Sequence, residues 1–139
     1  MIKTTEIQLD TKGFTDIIDI TESVAVAVEE ASVKNGLVTV FCPGSTAAVT
    51  TIEYEPGVIE DLRRTIELIA PSTVPYEHNR RWGDGNGFSH VRAALMKPSL
   101  SVPVINGEMV LGTWQQIVFI DFDNRKRRRR LIIQVVGDD

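Results

Sequence analysis

One cysteine, two histidines and 6% aromatic residues are all that this 139-residue chain holds of those types. A lone Cys42 cannot form an internal disulfide, so a reducing, cytoplasmic setting is expected. No apolar stretch approaches the roughly 20 residues that a membrane-spanning helix needs. The opening Met1-Ile2-Lys3-Thr4-Thr5-Glu6 has no apolar run and does not read as a signal peptide. No Ser/Pro-rich linker, composition shift or internal repeat marks a boundary, so residues 1–139 are expected to form one domain. A broad basic face is also missing. Six of the fifteen basic residues fall in Arg125–Arg130, leaving nine against nineteen acidic ones elsewhere. That balance speaks against a general nucleic-acid binder, which usually carries its positive charge over a whole face.

The remaining pattern is that of an ordinary folded protein, with 42% hydrophobic and 24% charged residues. Alternation and β-branched runs predict strands over Thr4–Leu9, Phe14–Ile20, Leu37–Phe41 and Ala47–Tyr54. Further strands are predicted over Leu100–Ile105, Glu108–Leu111, Trp114–Phe122 and Arg129–Val136. Asn106-Gly107 marks a two-residue hairpin. Thr21 is expected to cap a helix from Glu22 to about Ser32. Pro56 suits the first turn of a helix to about Ala70, with Val58, Leu62, Ile66 and Ile69 at helical spacing. Ser89 is expected to cap a third helix through about Lys97. Strands and helices do not alternate regularly enough for a parallel βαβ fold. The expected class is α+β, a two-layer sandwich with a mainly antiparallel sheet.

Chemistry-bearing residues gather in Tyr76–His90, where both histidines lie among Gly, Asn and Asp. That composition predicts a loop, and loops on a rigid scaffold are where sites tend to be built. His78 and His90 can move protons near neutral pH or hold a divalent metal such as Zn or Mg. Further ligands would have to come from Glu53, Asp84 or Glu77. Their twelve-residue separation is no zinc-finger spacing.

Other features carry weaker signals. Gly44-Ser45-Thr46-Ala47 follows a strand and offers backbone N–H groups and two hydroxyls to an anion, though it lacks a Walker signature. Trp114 and Gln115 offer a ring platform and an amide, and Asn86 a hydrogen-bonding amide or a left-handed turn residue. Glu53, leaving a strand toward a polar loop, is a candidate general base, whereas Asp61 reads as structural. Cys42, on an apolar β run, reads as a buried inert thiol. The arginines of Arg125–Arg130 alternate between the two faces of a strand. They are expected at a solvated hairpin tip, paired with Asp121, Asp123 or a neighbouring subunit. Phosphate or nucleic-acid contact is the rival reading.

Three stretches in order resemble one family. They are Pro43-Gly44-Ser45-Thr46-Ala47-Ala48-Val49-Thr50-Thr51-Ile52-Glu53; Tyr76-Glu77-His78-Asn79 running to Ser89-His90-Val91-Arg92-Ala93; and Leu111-Gly112-Thr113-Trp114-Gln115-Gln116-Ile117. The chain resembles the YjbQ-like proteins, also called the secondary thiamine-phosphate synthase family. Its ending Asp121-Phe122-Asp123-Asn124-Arg125 is similar to the archaeal branch. The resemblance implies a compact α+β fold that trimerises through its sheets, a small-molecule pocket and weak thiamine-phosphate synthase activity. On that reading His78, His90 and Glu53 are catalytic, and Ser45, Thr46, Asn86, Trp114 and Gln115 bind an anionic or phosphorylated heteroaromatic ligand. His78 and His90 are also the candidate metal ligands. Many bacterial members carry a histidine where this chain has Gly44, which puts a three-histidine metal site in doubt here. Two rival functions stand beside this one: a nucleic-acid-associated protein acting through Arg125–Arg130, and a non-catalytic metal- or ligand-binding trimer.

Overall fold

In the computed structural model, which describes residues 1–139, the chain runs β1 (Ile2–Thr11), β2 (Asp16–Asp19), α1 (Thr21–Ala31), β3 (Gly36–Phe41), β4 (Ala47–Ile52), α2 (Pro56–Ile69), α3 (Glu77–Trp82), α4 (Gly87–Met96), β5 (Ser99–Ile105), β6 (Glu108–Met109), β7 (Gln116–Asp121) and β8 (Arg127–Gly137). Every strand pairing is antiparallel. A five-stranded sheet has the order β1-β8-β3-β5-β6, and a three-stranded sheet the order β2-β7-β4. The expected α+β architecture with antiparallel strands is the one that forms.

Burial follows strand alternation. The inner faces of β3 and β8 bring Val38, Val40, Ile133 and Val135 against Val49, Ile117 and Phe119 of the small sheet, and α1 adds Val24, Ala27, Val28 and Ala31 to the same core. Val118 and Ile120 alternate to the opposite face of the small sheet, where Ile59 and Ile66 of α2 and Ala93 of α4 cover them. Helices α2 and α4 therefore add a layer to the two-sheet sandwich. This double covering explains why Ile117–Ile120 reads as continuously apolar: β7 is buried on both faces. On α2, Ile66 is buried as its spacing implies, whereas Ile69 stays exposed and Ile59 takes its place inside. No helix is long and apolar enough to cross a membrane.

Several boundaries differ from the sequence reading for local reasons. Gly13, Phe14 and Thr15 have φ of 74°, 54° and 63°, so the chain turns left-handed there and β2 begins only at Asp16. Thr21 lies inside α1 rather than at its cap, and its hydroxyl donates to Asp19 Oδ1 at 2.6 Å. Ser89 likewise sits within α4, donating back to the Asn86 carbonyl oxygen at 2.5 Å. The histidine segment is not a loop. It is two helices, α3 and α4, joined by the four residues Gly83–Asn86.

Candidate functional site

Short-range capping turns the Gly/Asn/Asp-rich segment into a helix pair. Gly83 ends α3 in the left-handed conformation (φ 69°), a backbone state glycine adopts without steric cost. Asn79 Oδ1 then accepts the Gly87 N–H at 2.9 Å, tying α3 to the start of α4. A Cβ on Gly87 would lie 2.6 Å from Tyr76 Cβ and 2.9 Å from Asn79 Oδ1, so only glycine permits this approach. The result brings the two imidazoles together. The ring centroids of His78 and His90 are 4.3 Å apart and the planes are inclined by 37°.

The electrostatics favour the neutral form of His90. Burial pushes the His90 imidazole below its ordinary value and the neighbouring His78 adds to that push, against the opposing pull of Asp84 and Asp123. Neutral His90 can thus accept a proton near neutral pH. His78 Nδ1 lies 3.3 Å from Asp84 Oδ1. The atoms are not aligned for a hydrogen bond, so Nδ1 remains buried and unpaired, as does Asn86 Oδ1. Buried polar atoms without partners are uncommon, and here one lies on α3 and the other in the turn that leads into α4.

His90 shares a cleft of about 220 Å³ with Gly44, Ser45, Ala47, Ala93, Ala94 and Pro98. The Gly44-Ser45 turn and the histidine helices, far apart in sequence, therefore meet. Thr46 faces the other way. Its buried hydroxyl accepts Arg129 Nη2 at 2.6 Å and donates to Asp123 Oδ2 at 3.1 Å. Arg129 grips Asp121 with two bonds, of 2.8 and 2.9 Å, and the Thr11 hydroxyl donates to the same carboxylate at 2.6 Å. Asp123 also accepts Arg127 Nη1 at 2.6 Å and Asn86 Nδ2 at 3.2 Å. Burial raises the Asp123 carboxyl, but donated bonds from Asn124, Asn86 and Thr46 and the Arg127 charge outweigh it, so the group stays ionised. This network ties the Ser45-Thr46 turn and Asn86 to the two sheets. Sequence reasoning gave Asp121 and Asp123 only as partners for the arginine run. The stronger signal was an acidic pair bracketing the apolar residue Phe122, opposite an arginine-rich strand.

The remaining candidates lie elsewhere on the chain. Glu53 and Trp114 line a separate depression with Asp19, Tyr54, Glu55 and Gln116. Gln115 lines another with Thr51, to whose hydroxyl it donates at 3.2 Å, and it also accepts the Gly112 N–H at 3.0 Å. The cleft therefore joins parts of the first two stretches that carry the family resemblance, while Trp114 and Gln115 of the third lie elsewhere. Asp61 pairs with Arg64 at 2.7 Å along the exposed side of α2. Cys42 is fully buried; burial raises its thiol, against the lowering effect of Arg129. The basic run divides by strand alternation, although Arg129 is buried rather than solvated. Arg127 and Arg129 reach Asp123 and Asp121, while Arg128 and Arg130 pair with Gln8 and Glu6 on β1.

A metal ion fits poorly. No group of three or more His, Cys, Asp or Glu side chains is arranged to hold one, and Gly44 supplies no side chain to the cleft it lines. Two imidazoles with one flanking carboxylate suit proton transfer and anion contact better than closed coordination.

Known proteins resemble this chain over nearly its whole length. Residues 5–138 match the family model described as UPF0047 protein YjbQ-like. A UPF0047 protein of Methanothermobacter thermautotrophicus is 39% identical, covering 98% of this chain and 93% of its own. The UPF0047 protein YugU of Bacillus subtilis is 34% identical, covering 99% and 100%. Among solved structures, a YbjQ-like protein of unknown function from Sulfolobus solfataricus superposes with a TM-score of 0.95 at 29% identity, covering 99% of each chain. A hypothetical protein from Aeropyrum pernix gives 0.91 at 30% identity, covering 98% and 99%. With sequence and fold in agreement from end to end, the chain belongs to the YjbQ-like UPF0047 family.

Proposed function

We propose that the chain binds a small anionic or phosphorylated heteroaromatic compound at the His78–His90 cleft and catalyses weak thiamine-phosphate-synthase-like transfer on it. One observation carries this reading: the two histidines of the chain share one site beside the Gly44-Ser45 turn. Ser45 and the adjacent backbone meet the anion. Asn86, anchored through Asp123, orients the polar edge of the ligand. Thr46 acts indirectly, holding the turn against Arg129. In the transfer, the pyrimidine carbon–oxygen bond breaks and its electron pair leaves with pyrophosphate. The thiazole nitrogen lone pair then forms the new carbon–nitrogen bond. The histidine pair supplies hydrogen bonds to the departing anion, which leaves ionised. At about 220 Å³ the cleft is smaller than the roughly 300–1,000 Å³ of drug-sized ligand sites. It suits a phosphate or a single ring, so the second ring must sit at its mouth.

Binding of pyrophosphate and of a thiazole phosphate, followed by calorimetry, tests the site, and chromatographic detection of thiamine phosphate tests turnover. Both should be lost in His78→Ala and His90→Ala while circular dichroism stays native. Undiminished affinity and turnover in both variants refute the assignment. Binding without turnover in the parent protein selects the non-catalytic ligand-binding role instead.

The proposal includes self-association as a trimer through the large sheet. Ile2, Val136, Leu37 and Pro103 stand opposite one another in successive strands. All four are exposed on the outer face, where a contiguous apolar row is costly to leave in water. Sedimentation equilibrium should give three chains per particle, and Leu37→Glu should lower that number.

A further inference from the structure

Trp114 is 72% exposed, yet it stands on a rigid turn. Gln115 N–H donates to the Gly112 carbonyl oxygen at 3.0 Å, the Gln115 side chain returns to the Gly112 N–H, and its amide is pinned to Thr51. A rotamer-poor aromatic held out to solvent in this way provides a preformed contact face. It lines a depression of about 450 Å³ where the ends of β2 and β4 meet the turn before β7.

The rest of that lining is already committed. Glu55 accepts the Gly57 and Val58 N–H groups at 2.8 Å each, capping α2. Asp19 Oδ1 holds Thr21 through its N–H and its hydroxyl. The Tyr54 hydroxyl donates to the Ile17 carbonyl oxygen at 3.0 Å, and Gln116 Oε1 accepts the Tyr54 N–H at 2.9 Å. The Glu53 carboxylate and the Trp114 indole have no partner, and of Thr113 only the carbonyl oxygen is engaged, by the Gln116 amide. None of the eight lining residues is basic, and three are acidic. The carboxylates are not set to close on a metal ion. An indole face beside a free carboxylate instead matches a diffuse, weakly hydrated cation, which an aromatic quadrupole attracts without full desolvation.

We propose that this depression is a second ligand site, taking the ammonium or quaternary ammonium head of an organic cation, with the Trp114 indole as its face and Glu53 as its counter-ion. The cation belongs either to a free metabolite or to a side chain of a second copy of this protein. The site is independent of the histidine cleft and of the activity proposed there.

The test uses the full chain carrying Trp82→Phe, which leaves Trp114 as the only one of the two tryptophans. Tetramethylammonium chloride should change its fluorescence saturably, whereas sodium chloride at the same ionic strength should not. Glu53→Gln, with unchanged circular dichroism and melting temperature, should weaken the response about threefold or more. The titration is repeated in each assembly state that sedimentation velocity reveals. A response confined to the dissociated chain assigns the site to a cation from another copy, and one present in every state assigns it to a free metabolite. No saturable response in any state, one that sodium chloride reproduces, or one that Glu53→Gln leaves intact overturns the proposal.

Discussion

At the residue scale the protein is governed by how a few polar side chains are partnered. His90 illustrates this. Its imidazole is depressed by burial first and by His78 second, so His78→Ala should raise its pKa toward the ordinary 6.5, while Asp84→Asn, which removes an opposing influence, should lower it further. Imidazole proton shifts in an NMR titration read both changes, and identical titrations in parent and variants would contradict the shared-site geometry. The linkage has a definite sign. Because folding depresses this pKa, the unfolded chain binds more protons below about pH 6.5. The contribution of His90 to stability is therefore complete above that value and declines as pH falls toward the folded pKa. Cys42 gives a second residue-level outcome. Fully buried, with its thiol raised by burial, it should react with a thiol reagent only after unfolding. Immediate stoichiometric labelling of the native protein would show that the core around it opens.

At the scale of elements, the α3–α4 pair decides whether a site exists at all. Gly87 permits the close approach of Tyr76 and Asn79, so Gly87→Ala must push α3 away from α4. Overpacking of this kind costs about 1–3 kcal/mol. Urea denaturation should show that loss, and the histidine titrations should become independent of each other. A native-like stability with coupled histidines would mean that another contact holds the helices. Sequence composition misreads this element because Asn, Gly and Asp favour turns on average. A six-residue helix is not stabilised by propensity. It persists through its glycine cap and the Asn79–Gly87 bond, contacts that no window of composition contains. Longer elements were legible for the opposite reason. The alternation of β1, the doubly apolar β7 and the Pro56 start of α2 are local patterns with one physical reading each. The late start of the Phe14–Ile20 strand was hidden, since the left-handed backbone at Phe14 and Thr15 is held by remote partners, Arg63 and Arg92 donating to the Thr15 oxygens.

At the scale of the whole molecule, the buried Arg129–Asp121 pair joins the two sheets beneath the cleft. Arg129 stands on β8 of the large sheet and Asp121 on β7 of the small one. Removing one partner leaves an uncompensated buried charge, so Arg129→Ala should destabilise the fold by about 3–5 kcal/mol. Replacing both, as Arg129→Met with Asp121→Leu, should recover much of that loss. The double-mutant cycle by chemical denaturation reads the coupling, and additive losses would show that the pair acts as two independent groups. The sequence by itself determined the α+β class, the antiparallel strands, the amphipathic helices and the identity of the residues able to do chemistry, because periodicity and residue type act over short spans. Tertiary structure alone decided which of those residues share a site. It brought His78, His90 and Ser45 together, turned Thr46 inward and set Glu53 with Trp114 in a different depression, because those placements depend on the meeting of surfaces remote along the chain.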